Sequence, residues 1–234
     1  MTLAPLRAMH RVLRPLLLPA LLVVASCARP ALRLDPGVDR FPPPPAGMSG
    51  EAWLQAHAAF ARVREEGRAS REILAIIDYS LPSSEPRLWV VDPRADTVIT
   101  RDYVAHGWAS GATFPYQFSN RWGSNQSSLG VFVTLEAYSG VRGLSLRLEG
   151  LEPGINDRAR ARGIVVHGSP FVSAVRAGQG NLGRTEGCPA VPMSSARRLV
   201  HLLEGGAVVF VWYPDPSYLA RSQYLDRQRI ANSE

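Results

Sequence analysis

A histidine and a cysteine, each beside a glycine, are the residues of this chain whose types suggest covalent chemistry. His167 precedes Gly168 and ends the apolar run 164–166, and Cys188 follows Gly187. A thiol is a strong nucleophile only as a thiolate, and a neighbouring imidazole can accept its proton. We therefore predict that Cys188 is a nucleophile and that His167 is its base.

The glycines beside these two residues extend the predicted site. Gly187 lets the backbone turn sharply before the cysteine. We expect the N–H groups of Gly187 and Cys188 to form an oxyanion hole, which is worth about 3–4 kcal/mol per donor where measured. His167 Nδ1 needs an acceptor to set its tautomer, and the carbonyl of Gly168 is the candidate.

Two other interpretations of the pair remain open at this point. In one, Cys188 is a small buried residue and His167 is a core histidine. In the other, His106, His167 and Cys188 bind zinc, which accepts nitrogen and sulfur ligands. The three residues are scattered along the chain without a Cys-x-x-Cys or His-x-x-x-His motif. We therefore expect no metal and no cofactor.

The N-terminus has the pattern of an export signal. Three arginines precede an apolar run, Leu16–Val24, that is too short for a stable membrane span. Val24–Cys27 resembles a bacterial lipobox, which predicts a signal peptide over 1–27 and a lipid anchor at Cys27. The alternative is ordinary cleavage after Ala28. In both cases we expect an exported protein of the periplasm or cell envelope.

Cysteine usage and charge narrow the class of protein. With Cys27 lipidated or removed, Cys188 has no partner for a disulfide in an oxidising compartment. The formal net charge is +6, and all 26 basic residues are arginine. No long basic run contains aromatic residues, so we expect no nucleic-acid binding.

The remaining chain predicts one mostly-β domain with helical additions. A Pro-rich linker is predicted over 28–50, a helical addition over 51–80, a catalytic domain over 81–214 and a polar tail over 215–234. Within the helical addition, 51–66 reads as a helix and 73–77 as a short helical or mixed segment. A later helix is predicted over 196–203 and ends at Gly205. Strands are predicted over 87–91, 97–100, 130–134, 144–148, 164–166 and 207–212.

The stretch from about Ile73 to Val191 resembles the murein L,D-transpeptidase catalytic-domain family of bacterial envelope proteins. The matching segments follow one order along the chain: Asp78-Tyr79-Ser80, Arg87–Asp92, Val104–Gly107, Phe118–Asn120, Ser127–Phe132, Ser145–Glu152, Ile164–Gly168 and Gly183–Val191. The resemblance implies a β-sandwich or barrel-like catalytic fold. It also implies that Cys188 is the acyl-accepting nucleophile, with His167 as base and the Gly168 carbonyl orienting it.

The resemblance also implies a reaction and its partners. Cys188 would attack the L,D bond of a peptidoglycan stem tetrapeptide, release D-alanine and pass the acyl group to an amine. The alternatives are hydrolysis of the same bond, which is L,D-carboxypeptidase activity, and a catalytically silent wall-binding module. The resemblance further implies acylation by carbapenems. We expect a monomer that takes stem peptides as substrates.

Four residues are predicted to contact the substrate: Arg184, His106, Ser169 and Tyr116. Arg184 is a candidate carboxylate clamp because an arginine fork suits an acidic peptide. Glu186 stands where many members of the wider superfamily carry a second histidine. A carboxylate near the sulfur opposes thiolate formation, so we expect Glu186 to face solvent or to pair with Arg184.

Overall fold

The computed structural model describes residue 2 and residues 43–226, except residues 181 and 183. The predicted signal peptide with Cys27, most of the predicted linker and residues 227–234 of the tail lie outside the described residues. All the elements below belong to the unit Phe41–Glu234. None of the described helices is long and apolar enough to cross a membrane.

The described residues form helices and strands in a mixed order. The helices are α1 (Gly50–Glu65), α2 (Ala174–Gly178), α3 (Met193–Leu203) and α4 (Pro216–Arg221), with a 3₁₀ turn at Trp108–Ser110. The strands are β1 (Leu74–Asp78), β2 (Leu88–Asp92), β3 (Thr97–Asp102), β4 (Gly130–Gly140), β5 (Gly143–Gly150), β6 (Val165–Ser169), β7 (Ala190–Pro192) and β8 (Val208–Trp212).

The described strands join in one eight-stranded sheet of order β3-β2-β1-β8-β4-β5-β6-β7. The β1–β8 and β6–β7 pairs are parallel, and the other neighbours are antiparallel. All residues of β1 and β8 are buried, as expected for strands covered on both faces. The mostly-β prediction is confirmed.

Helix α1 matches the helix predicted over 51–66 to within one residue. Ser49 caps it, because its hydroxyl accepts a hydrogen bond from the Ala52 N–H at 3.3 Å. Trp53 and Phe60 are buried on the face that packs against β1 and β8. Burial of this apolar face supplies most of the helix's stability.

The segment 73–77, predicted as helical or mixed, is instead strand β1. It lies between β2 and β8, so the sheet begins inside the predicted helical addition. A short apolar run has the same pattern in a buried helix and in a strand buried on both faces. Pairing with two neighbouring strands decides in favour of the strand here, and no local pattern carries that information.

The predicted polar tail is also corrected where the structure describes it. Residues 216–221 form α4, and Tyr218 and Tyr224 are fully buried. The Tyr218 hydroxyl donates to Glu152 Oε1 at 3.5 Å, and the Val131 N–H donates to the same oxygen at 2.8 Å. Burial raises the pKa of Glu152. This buried carboxyl group therefore ties the end of the described chain to β4.

Strand β6 positions the histidine of the predicted site. It lies between β5 and β7, and helix α3 packs against it. The strand extends three residues beyond the predicted 164–166, so His167 lies within the sheet and pairs with Ser145 of β5 and Ala190 of β7. Strand β7 was not predicted, because its three residues include a proline, which cannot donate to a ladder.

Candidate functional site

A surface cavity of about 380 Å³ brings His167 and Cys188 together. It lies beside the hairpin turn between β4 and β5, the segment that leads into β6, and the turn before Cys188. Its lining consists of Tyr138, Gly140, Val141, Arg142, Ser145, Arg162, Gly163, Ile164, Val165, His167, Thr185, Glu186 and Cys188. The two residues predicted to react thus share one solvent-accessible space.

The hydrogen bonding of His167 fixes its tautomer. Its Nδ1 lies 2.8 Å from the carbonyl oxygen of Gly168. A carbonyl oxygen only accepts, so Nδ1 carries the hydrogen and Nε2 is the unprotonated nitrogen of the neutral ring. Nε2 is buried and has no hydrogen-bond partner among the described residues. Burial lowers the pKa of His167, so the ring is neutral at pH 7 and Nε2 is free to accept a proton.

Gly168 is required by the packing of α3. A Cβ on this residue would lie 2.7 Å from Met193 Sδ and 2.9 Å from Ala196 Cβ. Successive side chains of a strand point to opposite faces. The close approach of α3 to Gly168 therefore leaves the neighbouring His167 directed away from the helix, consistent with its place in the cavity lining.

Cys188 is half-buried, and its thiol is within reach of backbone groups of the segment before β6. The thiol donates to the Gly163 carbonyl at 3.6 Å. Burial raises the pKa of Cys188, whereas the Val165 N–H, Arg142 and Arg162 act to lower it. The resting pair is therefore a neutral thiol with a neutral imidazole, and proton transfer must accompany attack on a substrate.

Gly187 is required by the turn that presents the cysteine. Its φ is 122°, in the region that side chains other than glycine rarely adopt, and a Cβ would lie 2.7 Å from the Gln126 carbonyl oxygen. Ser127 Oγ donates to the Gly187 carbonyl at 3.1 Å and accepts from the Gly107 N–H at 2.9 Å. The turn is thus fixed to the loop that precedes β4.

The two N–H groups predicted to form the oxyanion hole differ in their hydrogen bonding. The Gly187 N–H donates to Thr185 Oγ1 at 3.2 Å, and the Thr185 hydroxyl donates to the Cys188 carbonyl at 2.7 Å. The Cys188 N–H has no acceptor within the described part of the chain. The Cys188 donor is therefore available to a substrate oxygen, whereas the Gly187 donor must first leave Thr185.

Two arginines of the cavity were missed by sequence reasoning. The Arg162 guanidinium makes four hydrogen bonds: Nη1 donates to Ser119 O and Ser128 Oγ, and Nη2 donates to Ser124 Oγ and Gln126 O. Arg142 lies in the β4–β5 turn. Both cations favour the Cys188 thiolate. Their positions depend on the long-range fold, and in this arginine-rich sequence no local signal distinguishes them.

Glu186 faces solvent, as predicted, but its partner is a different arginine from the predicted one. Its Oε2 lies 3.5 Å from Arg142 Nη2. The Glu186 charge acts to raise the pKa of Cys188, and Arg142 acts in the opposite direction. The pairing therefore offsets the unfavourable effect of the carboxylate on the thiolate.

His106, predicted to bind substrate, is instead a fully buried residue outside the cavity lining. The Arg87 guanidinium donates to its Nδ1 at 2.7 Å, and its Nε2 lies 3.3 Å from the Gly111 carbonyl. Since a guanidinium only donates, Nε2 carries the hydrogen. Burial lowers the pKa of His106 to about 3, helped by Arg87. The residue therefore joins two loops in the interior.

This histidine predicts a loss of stability in acid. The folded state keeps His106 neutral down to about pH 3, whereas the unfolded chain protonates it near its ordinary pKa of 6.5. The contribution of His106 to the free energy of unfolding is therefore present above pH 6.5. It falls by about 3 kcal/mol between pH 6.5 and pH 4. His106→Asn keeps an acceptor for Arg87 but does not titrate. Denaturant unfolding at both pH values should show a smaller decrease in the free energy of unfolding for the variant than for wild type. Equal decreases would contradict a buried, neutral His106.

The other predicted substrate residues do not line the cavity. Arg184 is exposed, and its Nη1 donates to the Gly111 carbonyl at 3.1 Å. Tyr116 is exposed on the loop after the 3₁₀ turn. Ser169 is buried at the end of β6 and lines a different cavity, with Met193 and Pro192. The structure thus brings together the predicted nucleophile, the predicted base and the cysteine turn, but none of these four residues.

The zinc interpretation has no support in the described part of the chain. No group of three or more His, Cys, Asp or Glu side chains there is arranged to hold a metal ion. His106 is bonded to Arg87 and does not reach the cavity of His167 and Cys188.

Several solved protein structures are similar to this chain at low sequence identity. Three solved structures that are similar to this chain are an L,D-transpeptidase from Mycobacterium smegmatis (13% identity, 61% of this chain and 59% of that one, TM-score 0.38), the L,D-transpeptidase (Yku) from Stackebrandtia nassauensis (14%, 72% and 69%, 0.39) and the helical cell shape determining protein Pgp2 (K307A mutant) from Campylobacter jejuni (11%, 67% and 55%, 0.39).

The chain thus covers between 55% and 69% of the length of these solved proteins. No curated protein sequence matches it significantly. The model of a family described as the L,D-transpeptidase catalytic domain matches residues 46–212, which is more than half of the chain and includes every residue of the His167–Cys188 cavity. The chain therefore belongs to the L,D-transpeptidase catalytic-domain family.

Proposed function

We propose that this protein is a cysteine-dependent peptidoglycan L,D-transpeptidase. Its donor is a stem tetrapeptide, and its intermediate is a thioester on Cys188. The observation that carries the proposal is the free Nε2 of His167 in the cavity that also contains the half-buried thiol of Cys188. A nucleophile and a base that line one cavity, with a backbone carbonyl that orients the base, are the minimal parts of acyl transfer.

The proposed reaction has two half-reactions. In the first, the Cys188 proton moves to His167 Nε2 while the sulfur forms a bond to the carbonyl carbon of the third stem residue. The bond to the nitrogen of D-alanine then breaks, and that nitrogen takes the proton from Nε2 as D-alanine leaves. In the second, an acceptor amine attacks the thioester, gives a proton to Nε2 and forms an amide as the thiol is restored.

The surroundings of the pair support these steps. The bond from His167 Nδ1 to the Gly168 carbonyl stabilises the imidazolium that forms after proton transfer. Arg142 and Arg162 favour the thiolate that attacks. An oxyanion is stabilised most by donors that are in place before its charge develops. The unpaired Cys188 N–H is such a donor, and we assign it as the first.

The location and partners are part of the proposal. A donor in the cell wall requires export to the periplasm or cell envelope, which agrees with the signal peptide and the lipid anchor at Cys27 predicted from the sequence. We also propose that the protein acts as a monomer. The acceptor is an amine from a second stem.

The assay is incubation of the purified protein with a tetrapeptide muropeptide, with and without an acceptor stem, followed by mass spectrometry. We expect loss of D-alanine, a protein adduct on Cys188 and a cross-linked dimer. Tripeptide without dimer would identify an L,D-carboxypeptidase, in which water is the acceptor. If there is neither reaction nor adduct, the result supports the alternative of a catalytically silent wall-binding module. A carbapenem, which we expect to acylate Cys188, gives an independent measure of the thiol's reactivity.

A further inference from the structure

The Arg142–Glu186 pair lies in the lining of the reactive cavity, and the steps above do not use it to bind the donor. Arg142 is in the β4–β5 turn, and Glu186 lies two residues before Cys188. Both line the cavity together with Cys188, and their Nη2 and Oε2 atoms are 3.5 Å apart. The pair therefore places a guanidinium, already facing a carboxylate, within the space where the donor peptide must enter.

Arg142 and Arg162 differ in what they can offer a ligand. All four hydrogen bonds of the Arg162 guanidinium go to the chain around Ser119–Ser128. Arg142 has Glu186 as its only ion-pair or hydrogen-bond partner among the described residues. An arginine fork with several unused donors is suited to a second carboxylate. Of the two cavity arginines, Arg142 is the one available to substrate.

The existing pair is weak enough to exchange. The side chains of Arg142 and Glu186 are 50% and 73% exposed, and ion pairs this accessible are screened by water and salt. A substrate carboxylate that replaces Glu186 leaves the Arg142 charge paired, and Glu186 is free to turn into solvent. The exchange therefore avoids leaving a lone charge in the cavity, which would oppose binding.

We propose that Arg142 is a specificity-determining residue that binds a carboxylate of the donor peptide, and that Glu186 occupies this position until the donor arrives. This rests on the proposed function, since it concerns the donor of that same reaction. The ligand chemistry is a peptide carboxylate, which a stem tetrapeptide offers both at its C-terminus and on its side chains.

The test measures donor binding and turnover separately. Binding of the tetrapeptide is measured by calorimetry on Cys188→Ala protein, which cannot turn over, and turnover is measured with Cys188 intact. Arg142→Gln should weaken binding by about 10–100-fold, the effect of losing charged hydrogen bonds, and should raise KM more than it lowers kcat. Glu186→Gln should tighten binding by about 2–5-fold because it removes the competing charge.

Matched controls come from a second ion pair, between exposed Arg160 and half-buried Glu149. Their Nη1 and Oε2 atoms are 3.7 Å apart, and neither residue lines the cavity. Arg160→Gln and Glu149→Gln should leave donor binding unchanged. Arg142→Lys, which keeps the charge but not the fork, should restore part of the affinity.

Two amidated donors identify the carboxylate, one a carboxamide at its C-terminus and the other on its side chains. The amidation that removes the bound carboxylate should make Cys188→Ala and Cys188→Ala/Arg142→Gln proteins bind equally. The proposal is overturned if Cys188→Ala/Arg142→Gln binds the free acid as tightly as Cys188→Ala, or if neither amidation reduces the difference between them. Failure of the proposed function looks different, because then the protein with Cys188 releases no D-alanine from any donor.

Discussion

Cys188→Ala should abolish D-alanine release and the protein adduct, whereas His167→Asn should lower kcat/KM by about 10²–10⁴-fold. The alanine variant has no atom that can form the thioester. The asparagine variant keeps a polar side chain on β6 but has no nitrogen that takes the thiol proton. Because burial raises the pKa of Cys188, the thiol ionises without a base only at alkaline pH, and we expect His167 to be dispensable only there.

The same pair makes a prediction about pH. Because burial raises the pKa of Cys188 and lowers that of His167, the resting thiol is protonated at pH 7. Alkylation of Cys188 by iodoacetamide should therefore accelerate with pH towards a midpoint above the ordinary thiol pKa of 9.0. An alkylation midpoint below pH 7 would show a preformed thiolate and imidazolium, and would contradict the neutral pair.

The double variant and a control histidine complete this test. Cys188→Ala/His167→Asn should be no worse than Cys188→Ala alone, because residues that act in one step are strongly non-additive. His201→Asn removes an exposed histidine that pairs with Glu204 at 3.2 Å, and it should retain full turnover. Loss of activity in the His201 variant would mean that the assay reports folding instead of chemistry.

The parts of the site that could be predicted from the sequence are those set by local chemistry. A cysteine after a glycine and a histidine at the end of an apolar strand both predict reactive side chains, and the structure places them in one cavity. The Gly168 carbonyl was predicted as the acceptor for His167 because no carboxylate neighbour was apparent, and the contact is present at 2.8 Å. Reactive groups and their immediate backbone partners are close in sequence, so the sequence contains the information.

The parts that could not be predicted depend on which strands become neighbours. Arg142 meets Glu186 only because β4 and β5 form a long hairpin whose turn lies beside the cysteine. His106 resembled a second site histidine, but the buried Arg87 holds it in the interior. A local pattern cannot distinguish a histidine that lines a cavity from one that accepts a hydrogen bond from a buried arginine.

The same limit applies to the fold. Strands with clear turn residues on both sides, such as β2 and β3, were predicted within two residues of their observed ends. Strand β1 falls in the segment predicted as helical or mixed, because a fully buried run of four apolar residues has no distinguishing period. Its register partners in β2 and β8 lie 11–17 and 134 residues away along the chain.

Replacing Arg162 should have the second large effect, on stability and on the thiol together. Its four hydrogen bonds join the segment before β6 to the loop 119–128, and the same loop holds the Gly187 turn through Ser127. Arg162→Gln should lower the free energy of unfolding by about 2–5 kcal/mol, since several acceptors lose their donor. Because Arg162 acts to lower the pKa of Cys188, the alkylation midpoint should also move to higher pH.

A lysine at this position separates the two contributions of Arg162. Arg162→Lys keeps the positive charge but cannot span four acceptors, so it should lose stability while the alkylation midpoint stays close to that of wild type. The control is Arg158→Gln, an exposed arginine of the same segment, which should change neither quantity. If Arg162→Gln unfolds more easily but alkylates with an unchanged midpoint, the guanidinium only holds the loop. If Arg162→Gln changes both the free energy of unfolding and the alkylation midpoint, and Arg162→Lys changes only the free energy of unfolding, the charge of Arg162 acts directly on the thiolate.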